Sequence, residues 1–417
     1  MKIALINIYS RLDEYQSRYS LATMRLAEYL MSFGYKVDLI PVDINRYIET
    51  DFEEEMIKQY DLIGLSNYSW VENAVKYIDK IIRKINPKAN IVIGGPQVEN
   101  INLNEWENEY FIIGEGEQAL LNLVKYIENN KVDENFFHKN INIFNKQNPE
   151  HAKMELLKGI HVKNPLFTNV EPIDKDFLWY ETCRGCAYSC GYCGHKTRRY
   201  VGYFDLDIIE KEIKNIGKTK FKNVFIIDPN FAGNVERAKK VIEMFNKYSP
   251  QSKLTLYLRP EFIDDEAIDL YRNANIDEIR IGIQTTNKNV PQWIRSNSLS
   301  HVSNELPKLS QNGINWRAEL IVGLPGDNFE GLENSIKTIE NLCPTTYYCY
   351  HLTLIKGVRL YSLVDNFQNP LWITKDELSR AYSSSTYTHD ELLEMLKYSD
   401  NKSKMYNDNN KKLIKKL

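Results

Sequence analysis

The chain has 417 residues, 53 Lys and Arg against 56 Asp and Glu, a formal net charge of −3, and 43% hydrophobic residues. That length leaves room for two or three domains with cores of their own. The near-neutral charge excludes a generally basic nucleic-acid binder and leaves only a local basic patch open. No run of about 18 apolar residues occurs, so no membrane-spanning helix is expected. The apolar part of Met1–Ile8 is too short for a secretory signal and reads as a first strand. Six cysteines are present, and four of them fall between positions 183 and 193. A disulfide framework would spread them; reduced, cytoplasmic thiols gathered around a metal or cluster fit better.

Residues 1–130 alternate apolar runs with amphipathic stretches. Lys2–Ile8, Lys36–Val42, Leu62–Ser66, Asn90–Ile93 and Tyr110–Ile113 read as strands. Leu21, Met24, Ala27, Leu30 and Met31 recur at helical spacing with Gly34 as a stop, and Val71, Ala74, Val75, Ile78, Ile82 and Ile85 mark a second helix ending near Pro87. Strands alternating with helices imply an α/β fold with a parallel sheet, whose ligands bind at the strands' carboxyl ends. Small residues gather there: Ser66-Asn67-Tyr68-Ser69-Trp70, then Gly94-Gly95-Pro96, then Gly114-Glu115-Gly116-Glu117. One glycine loop merely turns the chain; three at successive strand ends favour a cleft.

Residues 131–176 are polar, rich in Asn and Lys, and read as a linker with a short strand around Gly159–Val162. From Phe177 the β-then-α pattern resumes. Strands are expected at Phe177–Tyr180, Asn223–Ile227, Leu254–Leu258, Glu278–Ile283, Trp316–Val322 and Tyr347–Leu354, with helices at Val235–Lys247, Asp264–Ala274, His301–Asn312 and Phe329–Leu342. A full eight-unit barrel needs about 250 residues, so a span of roughly 180 suits a partial, six-unit barrel, with its chemistry on loops at the strand carboxyl ends. Residues 366–417 read as a small tail whose Lys- and Asn-rich end is a solvated helix or a frayed terminus.

The loop after the first of these strands holds the cysteines. Cys186, Cys190 and Cys193 follow Cys-x-x-x-Cys-x-x-Cys spacing, and Cys183 lies just upstream. Closely spaced thiolates on one short loop suit an iron–sulfur cluster. Four thiolates also suit structural zinc, although no second Cys-x-x-Cys knuckle follows. Cys343 and Cys349 read as buried thiols.

With Tyr192 as the aromatic before the last cysteine, this motif resembles the signature of radical S-adenosylmethionine (SAM) enzymes. Glu181-Thr182-Cys183-Arg184-Gly185 resembles the lead-in of their cobalamin-linked branch, where Cys183 is more often serine. The glycine loops of residues 1–130 resemble the flavodoxin- or Rossmann-like cobalamin-binding domain of that branch. The Asp-x-His-x-x-Gly cobalamin motif is absent, since Asn7 to Asp13 contain no histidine. The resemblance spans residues 1 to about 365. It implies a cobalamin domain over 1–130, a radical SAM barrel over 177–365, and a 4Fe–4S cluster on Cys186, Cys190 and Cys193 with one iron left for SAM. Cys183 is then a bystander. Tyr192, Asp228, Asn230, Arg259 and Gln284 are the implied SAM contacts; Ser66, Gly94, Gly95, Pro96, Gly114, Glu115 and Gly116 are the implied cobalamin contacts. Gly323-Leu324-Pro325-Gly326 resembles the family's turn after the fifth strand. No catalytic side chain is singled out.

The implied reaction is reductive SAM cleavage to a 5′-deoxyadenosyl radical, with methylation of an unactivated carbon of a peptide or natural product. An electron donor such as flavodoxin or ferredoxin is the implied partner. Radical rearrangement or cyclisation without methyl transfer stays open. A tRNA methylthiotransferase needs further cluster cysteines upstream, and residues 1–182 contain none. A zinc-stabilised binding module is the non-enzyme alternative.

Overall fold

A computed structural model describes residues 1–9, 20–43, 54–107, 109–149, 177–197, 201–219, 221–295, 298–364, 371–373 and 379–414. The chain divides into two compact units, Met1–Asp174 and Lys175–Leu417.

In the first unit the order is β1 (Lys2–Tyr9), α1 (Leu21–Ser32), β2 (Lys36–Asp43), α2 (Glu54–Lys58), β3 (Leu62–Ser66), α3 (Glu72–Ile85), β4 (Asn90–Gly94), β5 (Tyr110–Ile112), α4 (Glu117–Glu128), α5 (Phe136–Lys139) and β6 (Ile143–Phe144). Among the described residues these strands form one sheet, β2-β1-β3-β4-β5-β6, parallel except for β6. Alternation along β1 explains the two layers. Ile3 and Leu5 face one core with Ala27, Leu30, Leu120 and Val124 of α1 and α4. Ala4 and Ile6 face the other with Val75, Ile78 and Ile82 of α3. The order places the topological switch between β1 and β3, where doubly wound sheets bind ligands. Residues 136–144, inside the stretch expected as linker, instead complete this unit: Phe111 pairs with Phe144, and their rings stack at 5.3 Å. The strand expected near Gly159–Val162 lies outside the described residues.

The second unit runs β7 (Phe177–Tyr180), β8 (Cys183–Arg184), β9 (Gly202–Tyr203), α6 (Leu206–Thr219), β10 (Asn223–Ile226), α7 (Val235–Tyr248), β11 (Lys253–Leu258), α8 (Asp265–Arg272), β12 (Ile276–Gln284), α9 (Leu299–Gln311), β13 (Trp316–Val322), α10 (Phe329–Asn341), β14 (Thr346–His351), β15 (Leu371–Ile373), β16 (Ala381–Ser384) and α11 (His389–Ile414). Strands β14-β13-β12-β11-β10-β7 form a parallel sheet with β14 and β7 at its two ends, the architecture of a six-strand partial barrel.

Of the two expectations for the tail's end, the helix holds and the frayed terminus does not. The helix is packed rather than fully solvated: residues 389–414 form a 26-residue helix on the β14 edge. Leu392 and Met395 are buried, and so are Ser399, Ser403 and Asn407. The Asn407 side chain accepts from Tyr347 N at 3.0 Å and donates to Tyr347 O at 3.0 Å. One amide thus satisfies both main-chain groups that an edge strand would otherwise expose. Among the described residues, no helix is long and apolar enough to cross a membrane.

Candidate functional site

In the second unit the chain leaves β7 through Glu181 and Thr182 and turns into the cysteine loop. The root of that loop is pinned by Asp228, at the end of β10. Asp228 is buried, and its carboxylate accepts from Thr182 N (2.7 Å), Thr182 Oγ1 (2.5 Å) and Cys183 N (3.2 Å). Burial pushes its pKa up to about 6, against the pull of those three bonds. Arg237 braces the same root from α7, donating to Thr182 O at 3.0 Å. Asp228 was expected at SAM; its oxygens are instead spent on the loop, because the strand end places it directly beneath Thr182 and Cys183.

Cys183 is buried, and its thiol is pushed well up, first by burial and then by Asp228. Its thiol faces the Asp228 carboxylate at the root of the loop and stands apart from the Cys186–Cys193 group. Burial likewise raises Cys186 and Cys193, and the thiols of Cys186, Cys190 and Cys193 lie close enough to influence one another. Among the described residues, no three Cys, His, Asp or Glu side chains converge as they would around a single ion. Three neighbouring thiols on one short loop are a donor set that suits an iron–sulfur cluster.

The loop is seated on a shelf formed by residues 291–295, after β12. Gly191 donates to Ile294 O at 3.0 Å and accepts from Leu360 N at 2.8 Å. A Cβ at Gly191 would stand 2.6 Å from the Trp293 ring, so only glycine lets the loop lie this close. Arg359 lies over the Trp293 ring at 4.5 Å. The shelf ends in Arg295, whose Nη1 lies 3.3 Å from Cys190 Sγ and whose Nη2 donates to Gly282 O. Burial alone would lower the Arg295 pKa; Tyr192 and Cys190 raise it and keep the cation charged.

The remaining expected SAM residues gather around the same loop. Arg259, at the end of β11, lies flat on Tyr188 at 3.8 Å, pairs with Glu261 and points Nη1 at Cys190 Sγ at 3.5 Å. Asn230 accepts from Arg259 N at 3.2 Å, and its buried Nδ2 has no partner among the described residues, a donor available to a ligand. Gln284 has φ +70 on a bulge where the β12–β13 register shifts. Its Nε2 lies 2.3 Å from where a Gly282 Cβ would sit, so the bulge folds this side chain back over a glycine. The Tyr192 hydroxyl, between Arg295 and the cysteines, is pushed up mainly by burial. Cys343, expected buried, is exposed with φ +55 just beyond α10, a left-handed position that often ends helices. Cys349 is half-buried.

In the first unit, Ser66 and Gly94 are register partners at the ends of β3 and β4, and Gly114-Glu115-Gly116 follows β5, so the expected cobalamin residues share one sheet edge. Asn67 N donates to Gly94 O at 2.7 Å. Gly95 has φ +106, and a Cβ there would stand 2.5 Å from Asn67 O. Gly114 has φ +83. Pro96 is exposed, Glu115 is buried, and the half-exposed Trp70 stacks on Tyr68 at 4.9 Å. Asn67 is fully buried, and neither amide atom has a partner among the described residues. An edge cleared by glycines and holding an unsatisfied amide fits a large polar cofactor.

Sequence reasoning missed Arg295, Thr182 and Asn67 as site residues. Asn67 carried a signal, being a small polar residue directly after a strand. Arg295 carried none.

Comparison with known families finds one matching domain in each unit. The model of the radical SAM superfamily matches residues 180–339, and the model of the B12 binding domain matches residues 18–124. The cobalamin-dependent radical SAM methyltransferase TokK of Streptomyces tokunonensis is 22% identical over 311 residues, covering 68% of this chain and 45% of the relative. The anaerobic magnesium-protoporphyrin IX monomethyl ester cyclase of Rubrivivax gelatinosus is 23% identical over 362 residues, covering 76% and 61%. The chain therefore spans about half of these curated relatives' length. Its fold is similar to that of the cobalamin-dependent SAM radical enzyme OxsB with aqua-cobalamin and SAM bound, at TM-score 0.69 and 17% identity, covering 94% of this chain and 65% of that one. It is also similar to the methyltransferase TsrM of Kitasatospora setae with cobalamin and a [4Fe-4S] cluster bound, at TM-score 0.68 and 16% identity, covering 86% and 76%. The two domains bring a 4Fe–4S cluster, SAM and cobalamin as cofactors, and the chain belongs to the radical SAM enzymes that carry a B12-binding domain.

Proposed function

We propose that this enzyme transfers a methyl group from SAM to an unactivated carbon of a peptide or natural-product substrate. The observation that carries the reading is the pairing, in one chain, of a braced three-thiol loop at the mouth of a six-strand barrel with a glycine-cleared, B12-type sheet edge. Likeness to the methyltransferases TokK and TsrM supports it. When bound, the cofactors supply the electron, the radical and the methyl carrier; the protein supplies position and exclusion of water.

Cys186, Cys190 and Cys193 are the proposed cluster ligands, and Cys183 stays a protonated, structural thiol. Asp228 and Gly191 fix the loop at its root and tip. Asn230 Nδ2, Gln284 and Tyr192 are the proposed SAM-facing groups, donating to acceptors on the nucleoside side. Ser66, Asn67, Gly95 and Gly114 line the proposed cobalamin edge, Gly95 by letting backbone approach and Asn67 by offering its buried amide. The domain limits we propose are 1–149 and 177–414, with α11 counted in the barrel. Free thiols throughout the described residues fit a reducing compartment, and a small redox protein of the flavodoxin or ferredoxin class fits as reductant.

The test is turnover of anaerobically reduced holoenzyme with methyl-deuterated SAM. S-adenosylhomocysteine and 5′-deoxyadenosine formed in equal amounts, with label in the product, are expected. A second reading, radical cyclisation or rearrangement, draws on likeness to the protoporphyrin ester cyclase. Substrate-dependent 5′-deoxyadenosine without S-adenosylhomocysteine would overturn methyl transfer in its favour.

A further inference from the structure

We propose that Arg259 and Arg295 form a paired guanidinium clamp on the Cys190 sulfur and thereby set the reduction potential of the cluster. The two cations come from different barrel loops, one at the end of β11 and one on the shelf after β12, and meet on one sulfur at 3.5 and 3.3 Å. Each is held by bonds of its own. Arg259 is fixed by the Glu261 carboxylate at 3.1 and 3.0 Å and by the Tyr188 ring. Arg295 is fixed by Gly282 O. Cys186 and Cys193 take the backbone N–H groups of Tyr188 and His195 as donors and feel the arginine charge at longer range, Arg259 and Arg295 at Cys186 and Arg295 at Cys193. Among the described residues, direct guanidinium contacts to a thiol of this loop are those to Cys190.

The chemical step concerned adds one electron, from flavodoxin, ferredoxin or dithionite, to the cluster; no bond breaks. The added negative charge spreads onto the thiolate sulfurs, and donors to those sulfurs stabilise the reduced form more than the oxidised one. Charges pre-set in fixed positions do this without reorganising. The clamp thus eases reduction. It acts through Cys190, so both arginines are positioning residues.

The experiment is a redox titration, read by electron paramagnetic resonance, of full-length reconstituted protein without SAM. Arg295→Gln and Arg259→Gln should each make the reduction equilibrium at least tenfold less favourable, a potential about 59 mV lower for one electron. Arg295→Lys, which keeps the charge and loses the fork, should fall between. Arg272→Gln, on the surface of α8, should leave the potential unchanged. Glutamine variants that bind four irons and titrate within threefold of the wild type overturn the proposal. So does weaker SAM binding at unchanged potential, which would assign the arginines to SAM. If the variants take up no iron, the wild type still decides: its Fe–S(Cys) Raman bands should shift in D2O, and bands that do not shift overturn the clamp.

Discussion

At the carboxyl edge of the first sheet, the residues that matter are those that leave space. Gly95 and Gly114 hold positive φ, no Cβ fits at Gly95, and Asn67 waits with an unsatisfied amide. At the mouth of the barrel the residues that matter are those that reach in: Asp228 holds the loop root, Arg237 backs it, two arginines close on Cys190, and Asn230 keeps one buried donor without a partner among the described residues. A broad, flat cofactor is met by clearing side chains from backbone. A small anionic cluster, the group proposed for the three thiols, calls for side chains built around it. The two edges should therefore fail in different ways.

The largest contrast lies within the cysteine loop. Cys186→Ala should lose the cluster and all SAM cleavage, while Cys183→Ser keeps four irons and its visible absorption, since serine can still bond to Asp228. Cobalamin retention in the first unit should be unchanged in both. A cluster lost from Cys183→Ser would merge the two kinds of cysteine that the geometry separates.

A pH difference comes next. Burial and the neighbouring Glu109 push Asp79, on α3, up to about 7 from an ordinary 3.8, despite its pairing with Arg83 at 3.2 Å. A carboxyl with a raised folded pKa favours the fold below about pH 4, and that contribution is lost as pH rises through 7. Asp79→Asn should match the wild type in urea unfolding at pH 4. It should be the more stable protein at pH 8, by at most about 4 kcal/mol. A wild-type advantage that grows with pH would contradict the raised pKa.

Gly95→Ala should destabilise the first unit by about 2 kcal/mol, through its positive φ and the contact with Asn67 O, and should weaken cobalamin binding about tenfold without touching iron content. Smallest is Asn407→Ala on α11, which strands both main-chain groups of Tyr347 and should cost about 1–2 kcal/mol in thermal unfolding, with the cluster intact.

Much of this was legible in the residues. The buried parallel strands are apolar runs, so their order could be read directly, while α4, β6 and α6 were not among the expected elements. The spacing of the three cysteines narrowed their chemistry to a cluster or a metal, and the resemblance of the surrounding motif pointed to the cluster. What could not be read has physical reasons. Asp228 was found at the right strand end, but which group its oxygens bind depends on where Thr182 lands, 46 positions earlier. Arg295 lies 105 positions from Cys190 in an irregular segment, with no pattern around it. The packing of helix α11 was hidden because much of its packed face is Ser399, Ser403 and Asn407, which hydropathy scores as surface. They are buried because small polar groups can satisfy edge-strand backbone and their own helix, which apolar side chains cannot do for the strand.

The most direct test of the central claim is electron paramagnetic resonance of the anaerobically purified, reconstituted and reduced protein, with and without SAM. About four irons and four sulfides per chain are expected, with a reduced-cluster signal that changes shape when SAM is added, because one iron lacks a protein ligand. A colourless protein containing zinc, or a cluster signal indifferent to SAM, would contradict it.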